Sequence, residues 1–353
     1  MSNWEKNLRK ITPYVPGEQP KNSNIIKLNA NENPYPPSPE VINALKNFDA
    51  EHLRMYPNSS SLKLKSAIAK HFKLKESEIF VGNGSDEVIA LAFMACFHSS
   101  KPILFPDITY SFYPVWCSLF DIDYQTIPLD KDFCVNIADY NRENGGIILP
   151  NPNAPTGMGL YKNDMEALFE QNKNSIIIID EAYVDFGAYS CIELLHKYDN
   201  VIVIQTFSKS RSLAGMRIGM AMGNEKIIQT LEAVKNSYNS YTMDSIAIEV
   251  GTASIADENY LKQTCQKIIA TRQRTTKALK NMGFHVFPSQ SNFLFVTHNT
   301  VPAIEIFEKL KSDNILIRYF NLPRINNHLR ITIGTDEQMD ILLQHISNIV
   351  SMS

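Results

Sequence analysis

Hydrophobic positions along this chain follow two alternating habits. Short runs rich in apolar and β-branched residues, EIFVGNG from Glu78, KPILF from Lys101, GGIILP from Gly145, SIIIID from Ser175 and NVIVIQT from Asn200, are separated by longer stretches with apolar residues at helical spacing. Unbroken apolar runs mark strands buried on both faces, and the helical segments between them serve as crossovers. The pattern predicts an α/β fold: a mostly parallel sheet sandwiched by helices. In such sheets the chemistry gathers beyond the carboxyl ends of the strands. Those ends carry Gly82 to Asp86, Asn151 to Gly157, Asp180 to Tyr183 and Thr206 to Lys209.

Past Tyr241 the habit changes. One long polar–apolar helix is expected through about Met282, then HVFPSQSNFLFV, a further helix, and the strand-like ILIRYF and HLRITIG. The division expected is a large unit over 39–240 and a smaller α+β unit over 241–353. Residues 1–38 read as an arm and connector contributing to the smaller unit. IIKLNAN is an early strand, and NENPYPPSP from Asn31 is extended because its four prolines forbid a helix.

At 353 residues the chain has ample length for two units. Its net charge of -3 offers no general attraction to nucleic acid or anionic membrane, so any anion must be held locally. No apolar run approaches the roughly 20 residues of a spanning helix, and MSNWEKNLRK lacks the apolar core of a signal peptide. A cytoplasmic location is expected. Cys96, Cys117, Cys134, Cys191 and Cys265 form no CxxC pair and the eight histidines are dispersed, so free thiols and no metal site are expected.

The strand ends carry the candidate chemistry. Lys209 lies among hydroxyls and close to Arg211 and Arg217, and a lysine whose pKa is lowered by neighbouring cations and burial is a Schiff-base nucleophile; alone it would read as a surface lysine. Asp180 closes an isoleucine run that should be buried, where a carboxylate needs a cationic partner such as a protonated pyridine, unless it only caps a helix. GNGSDE at Gly82 leaves a strand for a helix and presents backbone N–H groups to an anion. NPNAPTG at Asn151 is a rigid turn at another strand end.

In this order the four pieces resemble the aspartate aminotransferase superfamily of fold type I pyridoxal-phosphate enzymes, over nearly the whole chain. The resemblance implies pyridoxal 5'-phosphate as cofactor, with Lys209 binding its aldehyde and shuttling a proton. It implies Asp180 on the pyridine nitrogen, Tyr183 on the phenolic oxygen, and Tyr110 stacked on the ring. Gly84, Ser85, Asp86, Thr206, Ser208 and Arg217 fall where the superfamily holds the cofactor phosphate. Many relatives place asparagine directly before the proline of the turn, but here Ala154 precedes Pro155. Asn153 is therefore expected to reach the phenolic oxygen instead.

The chain ends narrow the resemblance. ITPYVPGEQP, KLNANENPY, MYPN, ILIRYF and HLRITIGT look like the histidinol-phosphate aminotransferase family. In that family Tyr56 reaches the cofactor phosphate of a second subunit, so a homodimer is expected. Arg330 corresponds to the arginine that grips an α-carboxylate and Arg318 to a second arginine for the substrate phosphate; Tyr14 and Asn29 line the substrate entrance. The implied reaction exchanges an amino group between L-histidinol phosphate and 2-oxoglutarate, giving imidazole acetol phosphate and L-glutamate in histidine biosynthesis. An aromatic amino acid aminotransferase shares almost every cofactor residue, and a threonine-phosphate decarboxylase is a close relative of different reaction class.

Overall fold

The computed structural model describes residues 3–15, 17–19 and 25–351; positions 16 and 20–24 of the expected arm lie outside the described residues. In chain order its strands are β1 (Ile26–Lys27), β2 (Ile79–Asn83), β3 (Ile103–Pro106), β4 (Tyr124–Ile127), β5 (Gly146–Pro150), β6 (Ile177–Asp180), β7 (Val201–Thr206), β8 (Ile218–Gly223), β9 (Phe284–Val286), β10 (Phe293–His298), β11 (Ile315–Leu316), β12 (Arg318–Tyr319) and β13 (Leu329–Thr332). The α-helices are α1 (Pro39–Lys46), α2 (Leu62–Phe72), α3 (Gly84–Cys96), α4 (Tyr113–Phe120), α5 (Lys162–Gln171), α6 (Glu225–Tyr238), α7 (Ser245–Ala256), α8 (Glu258–Asn281), α9 (Ala303–Ser312) and α10 (Asp336–Ser351). Among the described residues no helix is long and apolar enough to cross a membrane.

Seven strands form the large sheet in the order β2-β8-β7-β6-β5-β3-β4. All neighbours pair parallel except β8, which runs antiparallel to both β2 and β7. The five apolar runs read from the sequence are β2, β3, β5, β6 and β7. Their alternation splits the core: Ile177, Ile179, Val201 and Val203 face one helical layer, while Ile178, Ile202 and Ile204 face the other. Each such side chain, removed from water, contributes roughly 1.5–3 kcal/mol.

Two strands had no signal in the pattern. β4 is an edge strand whose first three residues are exposed, so it carries no apolar run. β8, IGMAMG, is built from residues of weak strand preference, yet every position is buried because it fills the gap between β2 and β7. Gly219 is required there: the Gly84–Ser85 peptide lies directly on it, where any side chain would collide.

The smaller unit is an antiparallel sheet, β12-β13-β10-β9, with β1 pairing β11 in parallel beside it. Its core joins Leu28 to Ile268, Val296, Ile306, Ile331 and Leu342. The single helix expected from Tyr241 to Met282 is broken in two at Asp257, whose carboxylate accepts the Tyr260 N–H and starts α8 afresh. α7 packs on α1 and α2 and adds Ala247, Val250 and Ile255 to the core of the large sheet. The chain beyond 240 thus stays with the larger unit for one helix before α8 enters the smaller one.

Candidate active site

The carboxyl ends of β2, β6 and β7 bring their loops together under the connector between β1 and α1. β6 delivers Asp180 into a nearly dry position, 5 % exposed. Its carboxylate accepts the Tyr113 hydroxyl at 2.9 Å and the Ala182 N–H at 3.2 Å. Burial nevertheless pushes its pKa up to about 6, against the pull of those donors, and Lys209 is the cation that acts on it. Such a carboxyl lacks a close cationic partner of its own.

β7 ends in Thr206, and the turn beyond it builds a cluster of hydroxyls. The Thr206 hydroxyl donates to Ser208 Oγ at 3.0 Å and accepts the Ser208 N–H at 3.1 Å. Arg217 reaches the same Ser208 Oγ at 3.5 Å and pairs with Asp86 at 3.1 Å. Gly84 completes the cradle at φ 80, and a methyl group added there would run into the Arg217 guanidinium. Asp86 also accepts the Tyr110 hydroxyl at 2.8 Å, and burial, reinforced by that carboxylate, raises the Tyr110 pKa far above its usual value.

Lys209 projects between these groups. Its Nζ donates to the Ala30 carbonyl at 3.2 Å and lies 5.8 Å from the Tyr183 ring centre. Tyr183 rests edge-on against Phe293, and Arg330 lies over the Phe293 ring at 5.3 Å. Arg330 donates through Nη2 to the Asn29 carbonyl at 3.0 Å, while its Nε is buried without a partner. Burial lowers its pKa, as does nearby Arg318. The two arginines face each other across the β12–β13 ladder and share the Phe320 ring, at 5.6 and 5.7 Å. Neither is paired with a carboxylate among the described residues. Like charges directly opposite on a sheet repel unless an anion lies between them.

The arm closes one side. Tyr14 stacks on Phe112 at 4.3 Å and lies 6.2 Å from Tyr110. Asn29 donates to the Glu18 carbonyl at 2.9 Å and keeps its own Oδ1 buried without a partner. Gly17 lies beside the Arg318 guanidinium.

Of the residues expected from sequence, two stand apart from this cluster. Asn153 is 1 % exposed and turned inward, with both amide protons donated, to the Ile108 carbonyl and Thr156 Oγ1, and its oxygen taken by Thr109. It ties the Tyr110 loop to the turn. Tyr56 is 82 % exposed and, among the described residues, stacks only on Tyr241, at 4.7 Å. Four residues went unread: Tyr113, hidden in an apolar helix start, and Ala30, Asn31 and Asn33 of the connector. Asn33 donates to the carbonyls of Lys209 and Ser210, and Asn31 to the Tyr183 hydroxyl. Density of asparagine in NANEN was the available signal.

A buried carboxyl without a close cation, an amine, and a glycine-lined cradle of hydroxyls with one guanidinium fit an aromatic phosphate ester bearing an aldehyde. The model of the aminotransferases of class I and II matches residues 23–346. The chain belongs to this aminotransferase family. As a fold type I aminotransferase it depends on pyridoxal phosphate. It is 52% identical over 347 residues to histidinol-phosphate aminotransferase 1 of Hydrogenovibrio crunogenus, covering 98% of each chain. To the histidinol-phosphate aminotransferase of Clostridium beijerinckii it is 49% identical, over 99% of this chain and 97% of the other. Among solved aminotransferases, that of Sinorhizobium meliloti in complex with pyridoxal-5'-phosphate superimposes with a TM-score of 0.84 at 27% identity, over 93% of this chain and 92% of the other.

Proposed function

We propose that this aminotransferase exchanges the amino group of L-histidinol phosphate with 2-oxoglutarate, giving imidazole acetol phosphate and L-glutamate in histidine biosynthesis, as a cytoplasmic homodimer. The observation that carries the substrate choice is the Arg318–Arg330 pair. Two facing guanidinium groups that share one aromatic ring and lack a carboxylate suit an anion of more than one charge, and planar forks bind phosphate and carboxylate alike. The names of the 52% and 49% identical relatives agree with it.

When bound, pyridoxal phosphate supplies a ring that accepts the electron pair left on the substrate carbon. The chain's own groups do the rest. Lys209 Nζ would hold the cofactor aldehyde and would move the proton on and off the substrate carbon that bears nitrogen. Asp180 gains the cation its burial demands by keeping the pyridine nitrogen protonated. Gly84, Ser85, Thr206, Ser208 and Arg217 hold the phosphate, with Asp86 orienting Arg217 and Tyr110. Tyr183 would hold the phenolic oxygen. Tyr14 and Asn29 line the entrance, where the arm excludes water.

Single-turnover spectra of the two half-reactions test the assignment. Arg318→Lys keeps the charge but loses the fork, so the histidinol-phosphate half should weaken by roughly 1–3 kcal/mol while the glutamate half changes less. Arg330→Met should slow both. Equal slowing of both halves by Arg318→Lys would remove the substrate argument. A wild type that ignores histidinol phosphate but transaminates phenylalanine, or releases carbon dioxide from threonine phosphate, would replace it.

A further inference from the structure

The connector that walls the site does more than fill space. Asn31 adopts φ 56, in the left-handed region, which turns its side chain back towards β13. Its backbone N–H donates to Thr332 Oγ1 at 3.0 Å, and that hydroxyl donates its single proton to Asn31 Oδ1 at 3.1 Å. Asn292 Nδ2 holds the Asn31 carbonyl at 3.0 Å. In this arrangement the Thr332 proton goes to the Oδ1 end of the amide. The Nδ2 end is left pointing at Tyr183, whose phenol oxygen accepts it at 2.9 Å. The phenol proton has no acceptor among the described residues.

We propose that Asn31 is a positioning residue for the reaction: by filling the acceptor side of Tyr183 it commits that phenol to donate its proton to the phenolic oxygen of bound pyridoxal phosphate. The inference rests on the reading that Tyr183 faces this oxygen. Two facts about this chain give it weight. Ala154 carries no side-chain donor, and Asn153 has spent both of its side-chain amide protons inside the protein. The Asn31–Tyr183 pair is the donor arrangement left. A donor aimed at an oxygen stabilises its ionised state most, and an amide behind the phenol strengthens that donor. The other groups that act on the same space are Lys209, above the Tyr183 ring, and Arg330, Tyr110 and Tyr113 beyond it.

Protein-bound pyridoxal phosphate changes its visible absorbance as it loses a proton, and the pH midpoint of that change reads the hydrogen bond directly. Asn31→Gly removes the amide and keeps a residue at ease at positive φ. It should raise the midpoint by roughly one pH unit, the scale of one charge-assisted hydrogen bond. Tyr183→Phe should raise it at least as far, and adding Asn31→Gly to Tyr183→Phe should move it no further. Thr332→Val leaves the amide in place but unlocked, and should give a smaller rise; it decides the matter if Asn31→Gly does not fold. An unmoved midpoint, including one accompanied by a lower melting temperature, or a further rise in the Tyr183→Phe background, overturns the inference. Borohydride labelling of the wild type separates the levels. Failure to fix pyridoxal phosphate on Lys209 overturns the cofactor reading and this inference with it, whereas normal labelling with an unmoved midpoint overturns the inference alone.

Discussion

Asp180 shows how one residue links burial to chemistry. A carboxyl whose pKa is raised to about 6 by desolvation costs the fold nothing below its ordinary 3.8, where folded and unfolded chains both carry the proton. The penalty grows as pH rises and is complete above 6, reaching about 3 kcal/mol for the cofactor-free protein. Asp180→Asn removes it. The cofactor-free variant should therefore match the wild type in urea unfolding near pH 4 and exceed it near pH 7, while turnover falls steeply because the ring nitrogen loses its partner. A stability gap that is the same at both pH values would show that the carboxyl is not strained by burial. Residues of this kind were legible because the chemistry dictates their type: an acid ending an isoleucine run, a lysine among hydroxyls. Tyr113 and Asn31 were not, since each acts through a neighbour that only folding supplies.

At the scale of elements, the β2–α3 turn ties a backbone requirement to ligand binding. Gly84 holds φ 80 with the Arg217 guanidinium packed where a Cβ would be. Gly84→Ala therefore carries backbone strain of about 1 kcal/mol and also displaces the arginine. The dissociation constant for pyridoxal phosphate should rise by about tenfold or more, measured by fluorescence titration of the cofactor-free protein; an unchanged constant in a folded variant would place the phosphate elsewhere. Periodicity found the buried parallel strands because their apolar runs are unbroken. It could not find β8, whose glycines and methionines fit only because Gly84–Ser85 presses on one side and β2 and β7 flank it. The break between α7 and α8 was equally invisible, as Asp257 becomes a cap only when the two helices pack on different cores.

At the scale of the molecule, Tyr56 and Tyr241 stack on the outside, and the same short segments expose Leu53, Met55, Leu62 and Tyr238. An apolar rim of this kind suits a second copy of the chain, with Tyr56 offered to the site opposite. Mixing Tyr56→Phe chains with Lys209→Ala chains should yield hybrids holding one intact and one doubly damaged site, so activity should exceed that expected from unmixed dimers. A wild type that sediments as a monomer, or a Tyr56→Phe chain of full activity alone, would contradict the shared site. The pairing of β1 with β11 carries a different consequence, one of timing. Ile26 and Lys27 are made early but wait for Ile315 and Leu316, and Asn31 waits longer for Thr332. During synthesis the large sheet can assemble while the Ala30–Asn33 wall beside Lys209 still lacks its anchor on β13.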